Sequence, residues 1–279
     1  MDFKLPKRLQ NSNKSTYGRV LNIAGSDFMP GAAYLSSVSA LKVGCGYCFL
    51  CSTQLVINSV SAQTQNIVFL PVQKLEENIK LADVIEIGCG LSTNKNAKKL
   101  FKTTINTIEK DKPLIIDADG LNILSQNEYK KIFLERQLSK VIITPHPKEA
   151  SRLLNCKLED IISDIKGAAK EISNIYDCIT VLKTNNTYIY SPEGKDYTNN
   201  TGNSALAKAG SGDVLTGVIT GLVAQGMDIF EGACLGVYLH GLCSQIASQD
   251  FTQYCVMAKD LIDYIPKSIR QLQGLQSSD

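Results

Sequence analysis

The 279-residue chain has no block of like charge, no apolar stretch approaching the roughly 18 residues of a membrane-spanning helix, and no Gly-x₄-Gly-Lys-Ser/Thr phosphate loop. Its net charge of +2 comes from 29 basic and 27 acidic residues, which leaves no electrostatic footprint for nucleic acid. The start, Met1 to Arg8, is polar and no apolar segment follows it, so neither an export signal nor membrane association is expected, and the protein is expected in the cytoplasm. Internal repeats, linkers and low-complexity tracts are also missing. That argues for one domain over residues 1–279, with frayed ends at about 1–15 and 274–279.

Cysteine, by contrast, is plentiful. Nine residues is an odd number, and without an export signal they read as reduced thiols rather than a disulfide framework. Cys45, Cys48 and Cys51 have a ligand-like spacing, but Tyr47–Cys51 is an apolar run that reads as a strand, whose neighbours point to opposite faces. No fourth ligand follows at close range.

Short apolar runs alternate with helical patterns. Strands are expected at Arg19–Ala24, Tyr47–Cys51, Ile67–Leu70, Val84–Ile87, Pro113–Asp117, Val141–Thr144 and Ile179–Lys183, with helical spacing in Gly31–Val43, Asn94–Lys110, Ile161–Tyr176 and Glu231–Ser248. Near-continuously apolar strands between helices imply an α/β fold with a buried, mostly parallel sheet and helices on both faces. After Lys183 the turns Thr184-Asn185-Asn186 and Pro192-Glu193-Gly194 frame short strands, an antiparallel hairpin at the sheet edge. Ligands should sit beyond the strand C-termini.

The residues there are polar or small. Gly210-Ser211-Gly212-Asp213 empties into the apolar-periodic run Val214 to Gln225, a helix start whose bare N–H groups suit a phosphate. Asp213 then reads either as an ordinary helix-start acid or as a base that deprotonates a hydroxyl beside a transferring phosphoryl group. Asp119 and Asn122 follow one strand, where oxygen ligands suit Mg²⁺ or Asp119 caps the next helix. His146, one of two histidines, sits between prolines after another strand, placed for ligand contact. His240, inside a helical run, reads as packed or capping.

Taken in order, these pieces resemble the ribokinase-like superfamily and, within it, look like the NAD(P)H-hydrate dehydratase family, from about Tyr17 to Ala258. The likeness rests on Ala24-Gly25-Ser26, Gly31-Ala32-Ala33, Gly44-Cys45-Gly46, Gly88-Cys89-Gly90 and Asp117-Ala118-Asp119-Gly120-Leu121-Asn122. It continues through Thr144-Pro145-His146-Pro147-Lys148-Glu149, Leu182-Lys183 to Thr187, Asn200-Thr201-Gly202-Asn203, Gly210 to Leu215 and Tyr238-Leu239-His240-Gly241. The resemblance implies a three-layer αβα sandwich. It implies that Ala32, Gly90, His146, Asp119, Asn122 and Asp213 meet hydrated NADH or NADPH. Lys183, Thr184, Asn185, Asn186, Thr187, Gly210, Ser211 and Gly212 would hold ADP or ATP, and Glu149 a Mg²⁺ ion through water. Asp213 would be the base for phosphorylation of the ring hydroxyl, and loss of phosphate would restore the reduced ring. Ala24 and Cys89 depart from the family pattern, which commonly has Gly at the first position and Gly-Pro-Gly around the second. The family also implies a homotetramer and an epimerase as functional partner, expected on a separate chain.

Two rivals remain at this point. A kinase of the same fold acting on a vitamin-precursor or sugar hydroxymethyl group would keep the phosphate on its product, and His146 in place of Asn argues against it. A non-catalytic nucleotide-binding protein would have no need of Asp213 and its glycines.

Overall fold

The computed structural model describes residues 3–274. In chain order its regular elements are β1 (Arg19–Ile23), α1 (Pro30–Val43), β2 (Tyr47–Ser52), α2 (Gln54–Ser61), β3 (Val68–Pro71), α3 (Leu75–Leu81), β4 (Val84–Ile87) and α4 (Lys95–Thr107). There follow β5 (Leu114–Ile116), α5 (Asp119–Leu124), α6 (Asn127–Arg136), β6 (Val141–Ile143), α7 (Pro147–Leu154), α8 (Leu158–Ser163), α9 (Ile165–Tyr176) and β7 (Ile179–Leu182). The last are β8 (Tyr188–Tyr190), β9 (Asp196–Thr198), α10 (Ser211–Ala224), α11 (Ile229–Cys255) and α12 (Ala258–Leu272). One sheet takes the order β3-β2-β1-β4-β5-β6-β7-β8-β9. Every pairing from β3 to β7 is parallel, and β7-β8 and β8-β9 are antiparallel.

Because side chains alternate along a strand, each strand feeds two cores. Leu21, Ile23, Ile85, Ile87, Leu114, Ile116, Val141 and Ile143 pack with residues of α3, α4, α6, α7 and α9. Val20, Val84, Ile115, Ile142, Ile179 and Val181 pack beneath α1, α10 and α11. This is the expected αβα sandwich with its antiparallel edge. On the second face α1 and α10 touch almost backbone to backbone. A Cβ at Gly217 would run into the Ser36 carbonyl, and one at Gly221 would come within 2.5 Å of the Ala40 carbonyl.

Two expectations need correction. The helix expected over 161–176 is broken at Asp164 (φ −144°), which instead caps α9 by accepting from the Gly167 N–H at 2.8 Å. The N-terminal segment, expected to fray over about 1–15, is tied down from Phe3 onward. Phe3 packs on Tyr197 and Tyr238, Leu5 joins the core under α12, and Arg8 donates to the Gly44 carbonyl and to Gln225. At the other end, residues 275–279 of the expected frayed stretch lie outside the described residues. Among the described residues no helix is long and apolar enough to cross a membrane.

Candidate functional site

The sheet changes direction between β1 and β4, since β1 leads outward to β2 and β3 while the chain returns to β4 on its other side. Such a switch point opens a crevice at the strand C-termini. On the α1/α10 face each strand is apolar where it begins and polar where it ends. Val20 gives way to Asn22, Val84 to Glu86, Ile115 to Asp117, Ile142 to Thr144 and Val181 to Lys183. Asn22, Glu86, Asp117 and Thr144 are buried and Lys183 is partly so, and they converge under the first three turns of α10, which present Thr216 and Thr220.

Asp117 and Lys183 are locked together in this layer. Lys183 Nζ lies 2.7 Å from Asp117 Oδ1, and Thr216 Oγ1 donates to Asp117 Oδ2 at 2.6 Å. Burial alone would raise the Asp117 pKa, but the Lys183 charge and these hydrogen bonds bring it below the ordinary carboxylate value. Glu86 is handled differently. Neither of its oxygens has a partner among the described residues, and burial pushes its pKa to about 8, so it is neutral at pH 7.

Asp213 stands at the edge of this layer, in the first turn of α10. The expected glycine loop is shorter than the sequence suggests. Only Gly210 takes a left-handed conformation (φ 89°), while Ser211, Gly212 and Asp213 are already helical. No side chain caps the helix, and the Ser211 amide is spent on the Lys208 carbonyl at 3.3 Å. The N–H groups of Gly212 and Asp213 make no hydrogen bond among the described residues, so two amides rather than three are free for an anion. A Cβ on Gly212 would lie 3.6 Å from Lys183 Nζ, which puts that ammonium beside the amides. Burial, then the Asp117 charge, raises the Asp213 pKa to about 6, opposed by contact with the Cys89 thiol and by Lys183. Asp213 is therefore ionised at pH 7 yet basic enough to take a proton.

A cavity of about 540 Å³ opens on the β7–β8 side of this helix start. Lys183, Thr184, Asn185, Thr187, Ser211 and Gly212 line it. Asn186 is exposed and does not line it, and Gly210 shapes the turn without reaching it. The cavity adds residues the sequence reading did not assign, Asn199, Thr201, Asn203 and His240. His240 is buried, its Nε2 is unpartnered among the described residues, and burial lowers its pKa to about 4. A larger concavity, about 650 Å³, lies at the opposite end of the sheet around Asp83, Pro113 and Gln225, away from every polar strand end.

The remaining candidates surround the crevice itself. His146 caps α7, its Nδ1 accepting from the N–H groups of Lys148 and Glu149 at 3.1 and 3.2 Å, and Glu149 Oε2 accepts from the His146 N–H at 2.8 Å. Burial and then Lys183 lower the His146 pKa, so its imidazole is neutral at pH 7. Glu149, buried, has its pKa raised to about 7. Asp119 does not cap a helix starting near Leu121, because α5 begins at Asp119 itself. Its Oδ2 accepts from the Ser92 N–H at 2.7 Å, and Asn122 bridges Asp119 to Arg152. Asp119 thereby braces the loop that carries Gly90, and Asn122 holds Asp119 in place. There Gly90 (φ 61°) packs against Ala32 and Met29 so closely that a Cβ would lie 2.6 Å from the Ala32 methyl. Among the described residues no group of three His, Cys, Asp or Glu side chains could hold a metal ion, and the thiols of Cys45, Cys48 and Cys51 are buried.

The family model for NAD(P)H-hydrate dehydratase matches residues 20–267. The chain belongs to this family. The ADP-dependent (S)-NAD(P)H-hydrate dehydratase of Neisseria meningitidis is 36% identical over 243 residues, covering 87% of this chain and 81% of that protein. The bifunctional NAD(P)H-hydrate repair enzyme of Moorella thermoacetica is 34% identical over 97% of this chain, which spans 52% of that protein's length. Among solved structures, the ADP/ATP-dependent NAD(P)H-hydrate dehydratase of Bacillus subtilis, co-crystallised with ATP/Mg²⁺, has a TM-score of 0.83 and 30% identity, covering 96% of this chain and 94% of that one. Most of the dehydratase-family motifs fall just after strands or at a helix start, while Gly44-Cys45-Gly46 precedes β2 and Tyr238-Leu239-His240-Gly241 lies inside α11. The added cavity residues come from the segment after the edge hairpin and from α11; Thr201, Asn203 and His240 lie in motifs visible in the sequence, whereas Asn199 does not.

Proposed function

We propose that this protein, acting as a single domain, dehydrates the S form of hydrated NADH or NADPH back to the reduced nucleotide, using ADP or ATP as phosphoryl donor. The observation that carries the reading is Asp213, an acid with a pKa near 6 set beside two free amides and the Lys183 ammonium. An anion hole that also contains a base suits phosphoryl transfer to a hydroxyl. The Gly212 and Asp213 amides and Lys183 take the charge of the transferring group. Asp213 takes the ring-hydroxyl proton as that oxygen attacks the terminal phosphorus and the nucleotide leaves. The phosphate ester then breaks at its carbon–oxygen bond. Phosphate departs with the bonding electrons, the adjacent ring carbon gives up a proton, and the dihydropyridine is restored.

Lys183, Thr184, Asn185, Asn186 and Thr187 serve the nucleotide in this reading, and Gly210, Ser211 and Gly212 its phosphates. Ala32, Gly90, Asp119, Asn122 and His146 serve the hydrated ring. Glu149 Oε2 is engaged by the His146 amide and Oε1 lies 3.4 Å from His146 Nε2, so Oε1 would serve Mg²⁺ through water, with substrate phosphates as the other ligands. Such an ion would supply charge neutralisation between the phosphates. An epimerase that interconverts the hydrate's two forms is the functional partner, and a homotetramer in the cytoplasm goes with the reading.

The test is recovery of the near-ultraviolet absorbance of reduced nicotinamide from hydrated NADH with Mg²⁺ and either ADP or ATP. Recovery that requires a nucleotide and releases inorganic phosphate supports the reading and selects the donor. A stable phosphorylated product, or no turnover by folded protein that binds nucleotide, refutes it. Light scattering and cell fractionation check the assembly and its location.

A further inference from the structure

The loop from Gly25 to Met29 stands at the switch-point crevice, and two of its features have no part in the chemistry above. Phe28 is 96% exposed, more than any other large apolar side chain described. Ser26 carries a buried hydroxyl with no partner among the described residues. Yet the loop is pinned. Gly25 donates to the Cys89 carbonyl at 2.8 Å, Met29 to the Ser26 carbonyl at 2.9 Å, and Asp27 accepts from Thr53 at 3.1 Å. Its far end forms the wall of the crevice, since the Met29 carbonyl and Cβ lie 2.9 and 3.0 Å from where a Gly90 Cβ would be. A fixed loop therefore presents a bare aromatic ring beside the wall formed by Met29, Ala32 and Gly90.

The substrate in the proposed function is a dinucleotide. With its hydrated ring held by Ala32, Gly90 and Asp213, its second nucleotide must run outward, and the Phe28 loop is the outer lip of that same wall. Adenine is flat, and stacking on an aromatic face is the cheapest way to hold a base that needs no chemistry done on it. We propose that Phe28 is a binding residue for the adenine ring of the hydrated dinucleotide. The proposal rests on the dehydratase reading for its substrate. It goes beyond that reading in naming an outer subsite separate from the ADP or ATP cavity.

The experiment compares hydrated NADH with hydrated reduced nicotinamide mononucleotide, which lacks the adenylate. Phe28→Ala is expected to raise KM for the dinucleotide by roughly 5- to 100-fold, the range that loss of base stacking gives. Its kcat should stay within about twofold, and KM for the mononucleotide and for ADP should not move. An unchanged dinucleotide KM, an equal rise for both substrates, or a change in oligomeric state with KM unmoved overturns the proposal. A binding measurement decides it without turnover. The sequence has no tryptophan, so Phe28→Trp introduces a single one, which can be excited selectively over the tyrosines. NADH should quench that emission with a Kd at least about fivefold below that of the reduced mononucleotide, whereas equal Kd values or no quenching overturn the proposal. A wild-type protein that restores no NADH with either nucleotide would sink the dehydratase reading, and the quenching titration would still settle Phe28.

Discussion

Replacing Asp213 by Asn keeps the shape of the side chain and removes its charge and its basicity, and the two losses have opposite signs. A positioned base contributes about 10²–10⁴-fold, so turnover should fall by at least about 100-fold. Stability should rise. Burial and the neighbouring Asp117 charge lift the Asp213 pKa from 3.8 to about 6, so the folded protein holds this proton more tightly than the unfolded chain does. Below about pH 4 both states are protonated and there is no penalty. As the pH climbs to about 6 the penalty grows, reaching about 3 kcal/mol and staying there. Asn escapes it, but forfeits the attraction of a negative charge for a helix start, about 0.3–1 kcal/mol. The net gain is about 2 kcal/mol, and a chain of this size gains about 2–4 °C in Tm per kcal/mol. Asp213→Asn should therefore melt roughly 4–8 °C above wild type at pH 8 and no higher than wild type at pH 4. Calorimetry at the two pH values, alongside NADH recovery, reads both effects. A variant that keeps more than about a tenth of the rate is not missing its base, and a Tm gain of equal size at both pH values means that buried charge is not its source.

The pH profile of kcat/KM should rise through about 6 as Asp213 ionises, and because Lys183 opposes that raised pKa, Lys183→Met should move the rising limb to higher pH. Lys183→Met also leaves Asp117 buried without its partner. A loss of about 3–5 kcal/mol is expected in urea denaturation, mostly recovered by adding Asp117→Asn; no recovery would show that the pair is not what the lysine stabilises. Gly217→Ala forces α1 and α10 apart and should cost about 1–3 kcal/mol, whereas Gly226→Ala, where a Cβ meets nothing within 4 Å, tests the strain of its left-handed backbone alone (φ 88°). His146→Ala removes the acceptor of two first-turn amides of α7 and should cost about 1 kcal/mol. Because the imidazole is neutral at pH 7, that loss should not change with added salt.

The sheet was legible because its strands are buried on both faces, so Val84–Ile87, Pro113–Asp117 and Val141–Thr144 stand out as short apolar runs ending in polar or small residues. What was not legible depends on distant partners. Residues 161–176 keep apolar spacing across Asp164, and only the cap geometry shows that the chain stops and restarts there. Phe3 looks frayed in a polar segment because the rings that cover it, Tyr197 and Tyr238, come from the edge hairpin and α11. The site divides in the same way. Gly210 to Asp213 is contiguous and could be read directly. The pairing of Asp117 with Lys183 joins residues 66 positions apart and needs the register of β5, β6 and β7.

That pairing also decides which of two neighbouring acids does the work. Asp117 and Asp213 each feel the other's charge, and two carboxylates in one crevice cannot both be ordinary. The structure resolves the conflict by unequal support. Asp117 receives the Lys183 ammonium and the Thr216 hydroxyl, stays ionised, and has no free oxygen for a substrate proton. Asp213 receives only the Cys89 thiol and a more distant share of Lys183, so burial, and after it the Asp117 charge, appears on it as basicity. Asp117 thus acts as a fixed negative charge that tunes Asp213. Asp117→Asn should lower the apparent pKa of the rising limb while leaving Asp213 able to act, and the same substitution in the Asp213→Asn background should change the residual rate little. A rising limb that stayed at about 6 after Asp117→Asn would place the source of the Asp213 shift in burial alone.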